Sequence, residues 1–393
     1  MQSVSNSKSS KITIEGVSLL FFSLIIFSYN FHVIWLIYDL LAIGAIYFFI
    51  KNTNFIILLY TSLAFLFFIA LILKDNIHAI SFLSIWDNGK HLFVLFMLLK
   101  LLDRYANTNR IRSFIMKFSI FFPIVFCIQV SLVLYQYFSG YFFDDISGTF
   151  GYRGSHSIGY FCLLYIVYLM FVRRSTYYLI FIVVVSLFLN YLSDNIGFYV
   201  LFLFLLIFRL YRQYNFSMII VYGLTLLLAF YGLNLLLGGN MIGEIIYRVT
   251  RLINVANVDT SIIVDSRPFL MFYAYSVGGL FGAGPGAYSE IYQMNGWLIP
   301  TLFDNKLNLN ISACTSLIAE YGVSGFILWI SIYLKYLCYF FSDLSSKLFV
   351  SFLFVSCVFY NNILNDERII FMFIFIVLFL KIYTKQNLKS TSA

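Results

Sequence analysis

The chain has 393 residues, of which 62% are hydrophobic and 11% charged, with a formal net charge of +8. A soluble domain carries about 25% charged residues, so this composition excludes a water-soluble globular protein and indicates an integral membrane protein. The basic excess does not mark a nucleic-acid binder, because the lysines and arginines are scattered through short polar breaks and follow topology instead.

Apolar runs of about 20 residues match a hydrocarbon core of ~30 Å crossed at 1.5 Å per residue. Backbone groups in lipid must pair within their own segment, and the alternation of a barrel strand is absent, so the runs predict helices. The expected fold is an all-α polytopic membrane protein with about 12 transmembrane helices in one domain over residues 1–393. In chain order the predicted spans are 16–30, 33–50, 54–73, 90–102, 114–138, 157–172, 176–190, 195–209, 215–237, 313–334, 348–364 and 369–384. The first run follows a polar start, Gln2 to Lys11, without an Ala-x-Ala site, and is predicted to be an uncleaved span. The five cysteines lie in or beside apolar runs without metal-ligand spacing.

A cytoplasmic N-terminus puts most basic residues inside, with Lys74, Lys90, Arg153, Arg248, Arg251, Arg267, Lys306 and Arg368 outside. The outside arginines gather in two segments, a third outside loop at 139–156 and a large fifth loop at 238–312. Residues kept against the topological bias are candidates for function. The pair Asp144-Asp145 in the third loop has no flanking ligands and is predicted to be a solvated turn rather than a metal site.

Within the large loop, Ile242 to Asn254 predicts a helix on the membrane surface. Ile242, Ile245, Ile246, Val249, Leu252 and Ile253 share one face, with Glu244, Arg248 and Arg251 on the other. Its arginines suit either lipid phosphates or a substrate. Asp265-Ser266-Arg267-Pro268 predicts a second helix start, with Ser266 as N-cap and Pro268 in the first turn, running to Val277 and stopping at Gly278-Gly279. Free N–H groups and the guanidinium of Arg267 then converge, which suits a phosphate or pyrophosphate, or a lipid headgroup. The glycine run that follows, Gly278 to Gly286, lacks the closing Gly-Lys-Ser/Thr of a nucleotide loop.

Several motifs in order resemble the bacterial O-antigen polymerase and O-antigen ligase superfamily. They are Arg267 followed after ten residues by Gly278; Gly282-Ala283-Gly284-Pro285-Gly286-Ala287-Tyr288; Glu320-Tyr321-Gly322-Val323-Ser324-Gly325 near the start of the next span; Ser193-Asp194-Asn195-Ile196-Gly197 earlier; and Gly148-Thr149-Phe150-Gly151 with Arg153. The resemblance covers roughly 140–330. It departs from the ligase branch in having no histidine in Leu309 to Ala313, and the third loop has Leu164 where a second Arg-x10-Gly interval would end.

The resemblance implies a GT-C-like, metal-independent glycosyltransferase of the Wzy polymerase type, needing no cofactor, in the bacterial cytoplasmic (inner) membrane with both termini cytoplasmic. Donor and acceptor would be glycans on undecaprenyl pyrophosphate, in contact with membrane lipids and beside a chain-length regulator and a flippase of the same pathway. The implied catalytic residues are Arg267, to neutralise the leaving pyrophosphate, and His156 and Glu320 as proton acceptors. The implied substrate-binding residues are Arg153, Arg248, Arg251, Gly278, Gly284 and Tyr288. The alternatives are an O-antigen ligase acting on lipid A core and a lipid-linked oligosaccharide flippase. A flippase should hold its charges inside the bundle along a central cavity.

Overall fold

The computed structural model describes residues 32–74, 79–105, 108–141, 146–150, 155–172, 176–193, 195–213, 267–285, 312–361, 363–364 and 367–390. The described residues are almost entirely helical, with no strand among them. The helices are α1 (His32–Asn52), α2 (Phe55–Lys74), α3 (Ala79–Tyr105), α4 (Thr108–Phe138), α5 (Ser155–Val172), α6 (Thr176–Leu192), α7 (Ile196–Gln213), α8 (Arg267–Gly278), α9 (Ala313–Tyr339), α10 (Leu344–Tyr360) and α11 (Glu367–Ser390). A 3-10 turn, Gly148–Phe150, lies between α4 and α5.

Helices lie on every expected span except 16–30 and 215–237, which fall outside the described residues. Two stretches, Phe121–Phe138 within α4 and Ala313–Tyr339, are long and apolar enough to cross a membrane, and several other helices are shorter and apolar. Outward faces carry large apolar side chains at helical spacing. On α1 they are Leu40, Ile43, Tyr47 and Ile50; on α6 they are Tyr177, Ile180, Phe181, Val184, Phe188 and Tyr191. A surface of that kind suits hydrocarbon rather than water, since soluble proteins do not leave whole helix faces apolar.

Short connections make sequential neighbours antiparallel, and polar contacts sort by level accordingly. At one end, the Ala313 N–H at the head of α9 donates to the Asn361 carbonyl after α10, and Asn361 Nδ2 donates to Tyr160 Oη near the head of α5. At the opposite end, Lys381 of α11 donates to the carbonyl of Phe340 and pairs with Asp103 of α3 at 3.4 Å. Lys51, Lys100, Arg209, Lys335 and Lys347 also fall toward that opposite end.

The largest departure from expectation is in α3. The fourth span was expected at 90–102, but α3 begins at Ala79 and carries Trp86, Asp87, Asn88, Lys90 and His91 in its first half. Each of these polar residues makes at least one bond to a neighbour within the bundle, as described below. Lys90, expected outside, is buried within α3.

Between α2, α3 and α9 the core is aromatic. Trp329 stacks on Phe68 at 4.6 Å between ring centroids and meets Tyr321 edge-on at 6.2 Å. A Cβ at Gly89 would meet Phe65 and Trp329 at 3.3 Å, so this glycine lets α3 approach both helices.

Candidate functional site

The glycine run and the Glu320-Tyr321-Gly322 motif, far apart in sequence, form one junction. Gly322 has φ +69 and ψ −178, which breaks α9 about 14 Å from its start at 1.5 Å per residue. In an uninterrupted helix the N–H groups of Val323 and Ser324 would bond the carbonyls of Ala319 and Glu320. Here they donate to Gly279 and Leu280, both at 3.1 Å, while the freed carbonyls of Ala319 and Glu320 accept from the N–H groups of Ala283 and Gly284, both at 3.0 Å. Ser324 Oγ also donates to the Leu280 carbonyl at 2.6 Å. Each bond that the break removes is thus replaced from the glycine turn, as backbone groups buried away from water require.

The glycines make this approach possible. A Cβ at Gly278 would lie 2.0 Å from the Ile318 carbonyl oxygen, and one at Gly282 would lie 2.2 Å from that of Glu320. Gly282 and Gly284 also have positive φ, +82 and +111. The turn closes α8, which starts at Arg267 and ends at Gly278 as the sequence predicts. Gly278, Gly284 and Glu320 of the expected site are therefore brought together, with Arg267 at the far end of the helix that leads into the turn.

The Glu320 side chain faces α3. Its Oε2 accepts from Ser84 Oγ at 2.5 Å. Because that proton is committed to the carboxylate, Ser84 Oγ receives the Tyr321 hydroxyl at 2.9 Å, and Asn88 Nδ2 donates to Tyr321 Oη at 3.3 Å and to Ser84 Oγ at 3.4 Å. The donors therefore run from Asn88 through Tyr321 and Ser84 to Glu320. Tyr333 Oη fixes the Asn88 backbone by donating to its carbonyl at 2.7 Å.

An ion cluster lies one turn further along α3. Lys90 Nζ is 2.8 Å from Asp87 Oδ1 and 3.2 Å from Asp39 Oδ1 of α1, and Trp86 Nε1 donates to the same Asp39 oxygen at 3.2 Å. The lysine side chain is 6% exposed and the two carboxylates 37% and 47%. Next to it Tyr38 Oη and His91 Nδ1 are bonded at 2.6 Å. Sequence reasoning missed Ser84, Asn88 and Lys90. An ionisable residue inside an apolar run, such as Asp39, was the available signal that a partner lay in a neighbouring helix.

His156 belongs to a separate junction at the same end. It is half-buried near the start of α5, and its carbonyl accepts from Asn195 Nδ2 at 3.5 Å. Asn195 Nδ2 also donates to Asn190 Oδ1 at 3.0 Å, and a Cβ at Gly159 would fall 2.1 Å from that nitrogen. The 3-10 turn beside it is held by α4. Gln136 Oε1 accepts from the N–H groups of Ser147 and Gly148, while Gln129 Oε1 accepts from that of Thr149.

Arg153, Arg248, Arg251 and Tyr288 lie outside the described residues, as do Ser266 and the expected surface helix at 242–254. Among the described residues no cluster of His, Cys, Asp or Glu has the arrangement of a metal site. Comparison with protein-family models, with characterised proteins and with solved structures finds no match.

Proposed function

We propose that this chain polymerises lipid-linked oligosaccharide repeat units at the outer face of the bacterial cytoplasmic membrane, with about twelve spans and both termini in the cytoplasm. The supporting observation is the junction itself: two motifs of the O-antigen polymerase resemblance, the glycine run and Glu320-x-Gly322, interlock behind a helix that begins with Arg267. The gathering of basic residues at the opposite helix ends supports the orientation.

In the proposed reaction an acceptor sugar hydroxyl attacks the anomeric carbon of the growing glycan. The new glycosidic C–O bond forms as the bond from that carbon to the phosphate oxygen breaks, and the electron pair leaves with undecaprenyl pyrophosphate. Arg267 neutralises the charge on the leaving group, where a fixed cation lowers the barrier most. His156 takes the hydroxyl proton. Arg153, Arg248, Arg251 and Tyr288 contact the substrates, and a chain-length regulator and a flippase act beside it.

One observation favours a second reading, a lipid-linked oligosaccharide flippase: the buried Lys90 with Asp39 and Asp87 places charge inside the helix bundle. A ligase acting on lipid A core has no such support. The two readings separate with purified protein in detergent, supplied with undecaprenyl-pyrophosphate-linked repeats. The polymerase extends them there, and does so in the presence of a chelator. A protein that extends nothing, yet moves the same lipid across a vesicle bilayer, is the flippase.

A further inference from the structure

We infer that Glu320 is a positioning residue that locks the glycine turn to α3, with Ser84 as its essential partner, and that it does not serve as the base for the acceptor hydroxyl. One residue holds two structures at once. Its backbone carbonyl accepts the Gly284 N–H, and its carboxylate accepts the Ser84 hydroxyl. Movement of α3 therefore reaches, through the Glu320 side chain, the residue whose carbonyl holds the turn that ends α8, and so the helix that carries Arg267.

The chemistry around the carboxylate fits holding better than proton transfer. Glu320 is 8% exposed. The nearest hydroxyl points its proton at Oε2, and Tyr321 and Asn88 donate in sequence behind that hydroxyl. Such a chain strengthens the bond to the carboxylate and fixes its orientation. A group held this way orients a backbone, whereas a base needs a lone pair turned toward substrate within hydrogen-bond reach. The requirement at this position is an acceptor for Ser84, which a neutral amide oxygen also meets, through a weaker bond than a carboxylate makes.

The test pairs Glu320→Gln, which keeps the acceptor, with Glu320→Ala and Ser84→Ala, which break the link, and with Ser84→Thr, which restores the hydroxyl. Each is made in the full chain with Cys127 and Cys338 replaced by alanine and a spin label at Phe281→Cys, an exposed position on the turn. Expected are a mobile label in Glu320→Ala and Ser84→Ala, and an ordered label in Glu320→Gln and Ser84→Thr. The activity arm rests on the polymerase reading. There kcat for repeat extension falls about tenfold in the two alanine variants with KM little changed, the size of one lost charge-assisted hydrogen bond, and stays near wild type in the two conservative variants.

A label that remains ordered in both alanine variants overturns the inference. So does a Glu320→Gln protein whose label is ordered but whose kcat has collapsed, since Glu320 would then be the proton acceptor. A wild-type protein that extends nothing refutes the polymerase reading alone, because label mobility is measured without substrate. A variant that fails to fold is recognised by its melting curve, and the Ser84 pair then carries the test from the other side of the same bond.

Discussion

Gly284 and Glu320 are joined by a backbone hydrogen bond of 3.0 Å across a helix that has been opened to receive it. The bond is one of four backbone exchanges by which a glycine turn replaces the pairing lost where α9 breaks at Gly322. It gives the glycine-rich segment a role that its composition alone does not reveal: the segment completes another helix.

Glycines at this junction should differ sharply in tolerance. Gly282→Ala sets a Cβ against the Glu320 carbonyl, a backbone atom that cannot swing away, at a φ of +82. We expect a loss of about 2 kcal/mol or more in detergent unfolding. Gly279→Ala has a φ of +56 but open space around the new carbon, so only the conformational cost of about 1 kcal/mol remains. Equal losses would refute the close-approach argument.

Lys90→Met removes the cation from between Asp39 and Asp87. Removing one partner of a fully buried pair costs about 3–5 kcal/mol, and the partial exposure of both carboxylates lowers this to about 2 kcal/mol. In the double variant with Asp39→Asn the two losses should be less than additive, because the second change removes an already stranded charge. Additive losses, read from chemical unfolding, would mean that the pair is not coupled.

Arg267→Ala, in cells lacking the native gene, should abolish long chains on a sugar-ladder gel while leaving single repeats. A fixed positive group at a developing charge contributes about 100-fold or more in rate. Arg267→Lys should restore part of the ladder, since the ammonium keeps the charge without the planar fork. Long chains in Arg267→Ala would remove the pyrophosphate role.

The proposed orientation predicts that a cysteine at Tyr141, just beyond α4, reacts with an impermeant thiol reagent in intact spheroplasts, with Cys127 replaced. A cysteine at Ser342, between α9 and α10, should react only after permeabilisation. Both positions are exposed and lie at opposite helix ends. The reverse pattern would invert the topology.

Hydropathy located most helices because an apolar run of some twenty residues is a property of composition that a window reads directly. The limits of α1, α2 and α6 fall within a few residues of those expected. The start of α8 was legible for a different reason, since Arg267-Pro268 and Gly278-Gly279 are local helix signals. The early start of α3 was not, because Trp86-Asp87-Asn88 resembles a polar break until Asp39, in another helix, is known to lie beside Lys90. Nor was the break in α9 legible, because a hydropathy window counts apolar residues and is blind to φ. The link from Glu320 to Ser84 joins residues 236 positions apart and left no periodic trace, so Ser84 and Asn88 attracted no notice.

The break in α9 also constrains how the chain is made. Emerging alone into the bilayer, the segment from Ala313 to Tyr339 would close into one continuous helix, because exposed backbone groups in hydrocarbon cost several kcal/mol each. Its native shape exists only once residues 279–284 are already alongside. Synthesis supplies them in that order, the turn before the helix that needs it. On the proposed topology, insertion of α9 is therefore a templated event, and a deletion confined to the turn should straighten a helix that it leaves untouched in sequence.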